Sequence, residues 1–453
     1  MKPRLDRRRF LQATSLAGLG LFMSETRAQG PNERLNFACI GVGGKGSSDT
    51  DHVGGLGNIV ALCDVDDQRL GKKGEQFPEA KKYQDFRKLL EELGPKIDAV
   101  VVSTPDHTHA AAAVMAMRMG KHVYCQKPLA HSAYEARLMR ETAAKMKVAT
   151  QMGNQGTSHP GFRAGIELIR SGIIGPVREL HVWTNRPFKY WKQAPDIVAR
   201  PTETPPVPAH LAWDLFLGPA PERPYNPIYH PHDWRGWWDF GTGAMGDMAC
   251  HTANLAFMAL KLGLPTRVSA QSGEVNSETY PAWATMTYEF PARGDLPPVK
   301  LTWYEGARDG ERNLPSADLL GGEMPSSSGS LLVGERGSIF SPSDYGTEQT
   351  LLPMKQFEGK QPAVPSAEES KQQDRVLDQN HKAEWVRAIR EGKPELAWSN
   401  FNYSAVLTEA MLLGNVAVRL GQPIEYNADS GSVTNSSDAA RYIRPEFRKG
   451  WTL

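Results

Sequence analysis

The sequence predicts an α/β domain built on a doubly wound parallel sheet, followed by an α+β domain. Three observations carry this reading. Short apolar runs alternate with amphipathic stretches between residues 35 and 152, a glycine-rich turn directly follows the first run, and after residue 177 the runs are joined by turns instead of regular helices.

Taken in order, the first thirty residues stand apart. Arg7-Arg8-Arg9-Phe10-Leu11 precedes a short apolar stretch, residues 11–23, too brief to span a bilayer. Thr26-Arg27-Ala28 then offers small residues for cleavage. Residues 1–30 resemble a twin-arginine signal, which implies the twin-arginine export machinery as a partner and a periplasmic destination. Of the four cysteines, Cys39, Cys63, Cys125 and Cys250, three sit inside apolar runs that read as buried strands. Core thiols are therefore expected, not a disulfide framework, as suits a chain exported already folded.

From residue 31 to 153, the runs at 35–40, 59–62, 99–102, 122–125 and 148–152 read as strands. Segments 86–93, 107–119 and 132–145 carry apolar residues at helical spacing, the last with Ser132 as its cap. Residues 154–379 form the expected second domain. It opens with a helix at 162–171 and a strand at 177–183, and continues with strands at 266–270, 284–290, 299–304 and 331–333 in an antiparallel or mixed sheet. The Pro-rich stretch 201–208, the Ser-rich 325–330 and the polar run 361–373 read as loops. In residues 380–453, helices at 380–390 and 403–420 are expected to pack back on the first domain.

Composition excludes some functions. With 52 basic against 51 acidic side chains and no long run of either sign, nothing calls for nucleic acid as a partner, and the expected substrate is a small molecule, neutral or weakly charged. A hydrophobic fraction of 40% is enough for the chain to bury its own cores.

The run at 35–40 leads straight into Gly41-Val42-Gly43-Gly44-Lys45-Gly46, a G-x-G-x-x-G fingerprint in the strand-to-helix setting of a dinucleotide site. Gly41 permits a tight turn, Gly43 lets the backbone approach a pyrophosphate, and Gly46 lets helix and strand pack closely. Gly44 and Lys45 complete the loop at the helix N-terminus, which faces the phosphates. Asp64 ends the next strand at the spacing, about twenty residues on, of an acid that binds ribose hydroxyls. A carboxylate there repels a 2′-phosphate. NAD is therefore favoured over NADP, with Arg69 and Lys72 the bases that could bend back to accept one.

Ligands of an open parallel sheet bind outside the carboxyl ends of its strands. There stand Thr104-Pro105 with His109, and Gln126-Lys127-Pro128, all candidates for cofactor contact. Lys127 is also a candidate for catalysis, since an ammonium at the strand mouth can donate to a substrate hydroxyl and favour its alkoxide. Further on, a glycine-rich segment enters a helix carrying Asp247 and His251, four apart and hence on one face. Histidine is the natural proton acceptor for an alcohol, with a carboxylate beside it to orient the ring or hold a neighbouring hydroxyl. Asn154, Arg163, Arg235 and Trp237 are candidates for substrate contact. Trp183, Tyr190, Trp191, Trp234, Trp237 and Trp238 concentrate aromatic faces suited to pyranose rings, with core and interface packing as their competing use. The two histidines of Tyr229-His230-Pro231-His232-Asp233 lack partners at metal-ligand spacing, so no metal is expected.

In this order, Gly41-x-Gly43-x-x-Gly46, Thr104-Pro105 with His109, Lys127-Pro128 and Asp247-x-x-x-His251 resemble the Gfo/Idh/MocA family, which includes glucose–fructose oxidoreductase and inositol dehydrogenase. The resemblance implies an N-terminal Rossmann domain and a C-terminal domain on a large, open, mostly antiparallel sheet that often forms oligomer contacts. It implies a homo-oligomer, dimer or tetramer, and a catalytic set of Lys127, Asp247 and His251. One departure stands out: the family usually has Glu-Lys-Pro where this chain has Gln126-Lys127-Pro128, and an amide cannot balance the ammonium by charge.

Three readings follow. The first is an NAD(P)-dependent oxidoreductase passing hydride between a tightly bound nicotinamide cofactor and a sugar or polyol carbon. Export favours retention, because no dependable soluble NAD pool exists outside the cytosol. The second is a glycoside-cleaving enzyme using transient oxidation and elimination. Family members of that kind carry a Tyr-Pro-Thr-His pattern, which Gly246-Asp247-Met248-Ala249-Cys250-His251 lacks. The third, a non-catalytic cofactor-binding protein, requires the Lys127, Asp247 and His251 set to be accidental.

Overall fold

Strand β1 (Asn36–Ile40) is buried from Phe37 onward on both faces, which is the mark of a central strand in a covered parallel sheet. The computed structural model describes residues 34–453, so the signal expected at residues 1–30 lies outside the described residues. Around β1 assemble β2 (Asn58–Cys63), β3 (Lys81–Tyr83), β4 (Ala99–Val102), β5 (His122–Cys125) and β6 (Thr150–Met152) in the order β3-β2-β1-β4-β5-β6, all parallel. The connections are α1 (Lys45–Gly54), α2 (Asp67–Gln76), α3 (Phe86–Leu93), α4 (Asp106–Arg118) and α5 (Ala133–Met146), the last begun by a capping box between Ser132 and Glu135. Because β1 has neighbours joined by crossovers running opposite ways, a crevice opens beyond its carboxyl end, where Ile40 pairs with Cys63 on one side and Val102 on the other.

Beyond α6 (Pro160–Arg170), strand β7 (Val177–Trp183) begins a sheet of ten strands. Its path runs through β14 (Thr350–Leu352), β13 (Gly337–Ser341), β12 (Gly329–Gly334), β7, β10 (Val299–Arg308), β9 (Trp283–Phe290), β8 (Arg267–Ser272), β15 (Ile424–Asn427) and β16 (Ser432–Val433), and β11 (Glu311–Arg312) pairs with β10. Only β7 and β10 run parallel, so the sheet is mostly antiparallel as expected. The helices of this half are α7 (Trp213–Leu217), α8 (Gly243–Thr252), α9 (Asn254–Ala259), α10 (Ala367–Glu391), α11 (Phe401–Leu420) and α12 (Ala440–Ile443).

Two loop assignments need correction. The polar run 361–373 is not a loop throughout: α10 starts at Ala367, capped by Ser366 with Glu369 answering, and its first turns are polar because they face solvent. Gly329 and Ser330, read as loop, open β12. Farther along α10, Trp385 packs against Phe37 and Tyr124 at ring separations of 5.9 and 5.7 Å and donates to the Ala149 carbonyl oxygen. Helix α10 is thereby seated on the parallel sheet. The four cysteines are buried and free, and among the described residues no helix is long and apolar enough to cross a membrane.

Candidate active site

The crevice is a cleft of about 530 Å³ beyond the carboxyl ends of β1, β2, β4 and β5. One end is built by the glycine loop. Gly41 turns at φ 80°, and a side chain on it would meet the Ser103 carbonyl oxygen at 2.6 Å. A Cβ at Gly46 would be driven into the carbonyl oxygen of Gly41. The N–H groups of Gly44 and Lys45 find no acceptor among the described residues, so the start of α1 offers two free donors to the cleft. A pyrophosphate fits these donors. Asp64 lines the same end and also braces the loop. Its Oδ2 accepts from the N–H groups of Val42 (2.9 Å) and Gly43 (3.2 Å), and its Oδ1 from that of Asp66 (3.0 Å). Burial pushes this carboxyl above its ordinary range, with the backbone donors opposing. Arg69 does bend back. It lies against Gly43 and keeps Asp66 at 3.5 Å, whereas Lys72 stays exposed.

Beneath the loop lies a charged network that the sequence did not suggest. Asp49 on α1 and Lys382 on α10, both 0% exposed, pair at 2.8 Å, and Lys45 pairs with Asp378, also on α10. Asp49 Oδ2 further accepts from the Ser103 hydroxyl and the Gln126 amide, each at 2.8 Å. This accounts for the glutamine: a glutamate at position 126 would set a second carboxylate against Asp49. Removing one partner of a buried pair leaves an uncompensated charge. Lys382→Met is therefore expected to destabilise the protein by about 3 kcal/mol, read as a lower urea midpoint, with most of the loss recovered when Asp49→Asn is added.

At the other end, Lys127 Nζ lies 2.6 Å from Asp247 Oδ1 and also donates to the Asp247 carbonyl oxygen at 3.1 Å. The carboxylate that answers the ammonium thus comes from α8, not from position 126. Burial would raise the Asp247 carboxyl, but Lys127 and Arg235 outweigh it and hold it well below its ordinary range. His251, one turn along α8, is 5% exposed and stands edge-on to Tyr345 at 4.9 Å. Its Nδ1 has no partner among the described residues. Burial, aided by the Lys127 charge, pushes the imidazole down to about 3, so it is neutral, the form a proton acceptor must have, and a weaker base than an exposed imidazole. The start of α8 is fixed to α4, because Asp106 accepts from the N–H and hydroxyl of Thr242.

Of the sequence candidates, Gly41, Gly43, Gly44, Lys45, Asp64, Thr104, Pro105, Gln126, Lys127, Arg235, Asp247 and His251 line this one cleft. Five others do not line it: Gly46, which is packed against the Gly41 carbonyl oxygen, and four residues with side chains engaged elsewhere. His109 is fully buried, bridging the carbonyl oxygens of Thr104 and Pro128, and so braces two strand-end turns. Asn154 is spent on the Cys250 carbonyl oxygen and the Ser399 hydroxyl. Arg163 pairs with Glu384 on α10 and lies over Trp398. Trp237 is 0% exposed in an aromatic cluster with Tyr229 and Phe240, and Trp234 lines the cleft in its place. Missed by sequence reasoning were Gln155, Arg186, Asp344 and Tyr345. They sit in irregular segments with no periodic signal.

Two adjoining stretches match described families: residues 35–154 match "Oxidoreductase family, NAD-binding Rossmann fold", and residues 165–295 match "Oxidoreductase family, C-terminal alpha/beta domain", both of Gfo/Idh/MocA. Together they cover more than half of the chain. The chain belongs to the Gfo/Idh/MocA oxidoreductase family. Its first domain is an NAD-binding Rossmann domain. Similar curated proteins include an inositol 2-dehydrogenase from Rubrobacter xylanophilus, 31% identical over 152 residues, and a myo-inositol 2-dehydrogenase from Thermotoga maritima, 30% identical over 153 residues. These matches cover 32% and 33% of this chain but only 43% and 45% of the relatives, so less than half of each relative's length is spanned. Among solved structures, the WlbA dehydrogenase of Bordetella pertussis in complex with NADH and UDP-GlcNAcA has a TM-score of 0.60 at 16% identity, covering 88% of this chain and 99% of that one. An inositol dehydrogenase homolog from Azotobacter vinelandii complexed with NADH and myo-inositol has a TM-score of 0.57 at 16% identity, covering 88% of this Gfo/Idh/MocA chain and all of the other. At such identities the likeness is one of fold.

Proposed function

We propose that the protein oxidises a hydroxyl-bearing carbon of a sugar or polyol with NAD held as a resident group, in the periplasm after twin-arginine export. The observation that carries this reading is the convergence of Lys127, Asp247 and His251 in the cleft that the glycine loop opens. The inositol dehydrogenases among the relatives support the substrate class. When bound, the nicotinamide ring supplies the hydride acceptor. Lys127 donates to the substrate oxygen and stabilises negative charge there, neutral His251 accepts the hydroxyl proton, and Asp247 anchors Lys127 and keeps it turned into the cleft. Retention of the cofactor is supported by the excursion between β7 and α8. Asp67 N–H donates to the His210 carbonyl oxygen (2.8 Å) and Ala212 N–H to that of Val65 (2.9 Å), while His230 and Trp234 line the cleft beside Arg69.

The test is to denature the purified protein and chromatograph the released nucleotides, then to incubate intact protein with a panel of sugars and glycosides without added NAD. Bound NAD should be recovered, and at least one polyol or sugar should reduce it in place. Finding no dinucleotide, together with no binding of added NAD, would sink the reading. Mass spectrometry of the products separates oxidation from glycoside cleavage.

A further inference from the structure

Arg235 holds hydrogen-bonding capacity that the protein does not use. It sits on the short turn Asp233–Gly236 and its side chain is 28% exposed. Its guanidinium lies over the Trp234 ring at 4.3 Å, lines the cleft, and donates no hydrogen bond to any described residue. Its nearest carboxylate oxygen, Asp247 Oδ1, is 3.7 Å from Nε and already receives Lys127 at 2.6 Å. Asp106, the other carboxylate of this wall, is turned to Thr242 and forms no ion pair with Arg235. Across the same cleft Arg186 has its own partner, Asp344, at 4.0 Å.

A largely buried guanidinium with open donors is a poor structural element and a good receptor. Its planar fork matches a carboxylate in two parallel hydrogen bonds, and stacking on an indole face fixes the plane of the fork. We propose that Arg235 binds a carboxylate of the substrate, so that the molecule oxidised here is a sugar acid. The assignment rests on the sugar-oxidising reading of the cleft. Because Lys127 and Arg235 approach the same Asp247 oxygen, the carboxylate and the reacting hydroxyl lie close together on one small molecule. Asp247, 3.7 Å from Arg235 Nε, opposes a dianion at this position more than a monoanion, which favours a carboxylate over a phosphate. The even overall charge, which suggests a neutral or weakly charged substrate, says nothing about one local cation.

The test compares a neutral sugar, the sugar acid derived from it and its phosphate ester, using reduction of the bound cofactor and calorimetric binding to the holoenzyme. Wild type should favour the acid over its neutral parent by about ten- to a hundredfold, the worth of charge-assisted hydrogen bonds. In Arg235→Gln that ratio should fall to near one, and Arg235→Lys should recover part of it. Preference of the wild type for the neutral sugar or the phosphate, or an unchanged ratio in Arg235→Gln, overturns the proposal. Binding of the acid without any cofactor reduction overturns the oxidation reading instead and leaves the anion site standing.

Discussion

Gly46→Ala is expected to abolish stable NAD binding, lowering affinity by a hundredfold or more on the order-of-magnitude scale at which a few kcal/mol acts. The added methyl has nowhere to go: it points into the Gly41 carbonyl oxygen, and Gly41 is itself fixed by its N–H to the Cys63 carbonyl oxygen at 2.8 Å. Either α1 tilts off β1 or the turn opens, and both move the Gly44 and Lys45 donors. Gly44→Ala provides the contrast. There the space is open but the backbone, at φ 51° and ψ −122°, is one that only glycine adopts freely, so the cost is about 1–3 kcal/mol of strain. Titration of each variant with NAD, after removal of any resident nucleotide, measures both. Wild-type affinity in Gly46→Ala would mean that close packing of α1 on β1 is not what holds the loop.

The elements around this loop were readable because buried parallel strands write themselves as apolar runs, as in 35–40 and 99–102. Strand β3 was not, since Lys81-Lys82-Tyr83 is an edge strand whose side chains face solvent. For the site, sequence identified which turns reach the crevice but not which way their side chains point. Thr104 and His109 come from the same turn and helix start, yet only Thr104 faces the cleft. The partners of Lys45 and Asp49 come from Asp378 and Lys382, more than 300 residues away in the chain. Nothing local marks those two as different from the other charges of α10. Gln126 illustrates the same limit: as a departure from Glu-Lys-Pro it suggests an unbalanced Lys127, but the balancing carboxylate is Asp247, on a helix whose position the sequence does not give.

Lys127→Ala and His251→Ala should each slow reduction of the bound cofactor by about a hundredfold or more, as loss of an acid–base group does, and the double variant should lose less than the product of the two. The reason is that both act on one oxygen, so removing the proton acceptor leaves little for the ammonium to stabilise. The pH dependence carries a second signature. With the imidazole pushed down to about 3 by burial and the nearby ammonium, its accepting form is complete above that value and is lost only as the pH falls toward it. The wild-type single-turnover rate should therefore show no acid limb from His251 between about pH 5 and about pH 8. Asp247→Asn should be milder in rate and should weaken substrate binding, because the amide still accepts from Lys127 but no longer balances it or Arg235. None of the three touches the glycine loop, so nucleotide content should be intact in all of them. Stopped-flow single turnovers with a substrate that wild type oxidises decide the matter. Wild-type-like reduction in His251→Ala would place the base elsewhere, with Lys127 the next group to test.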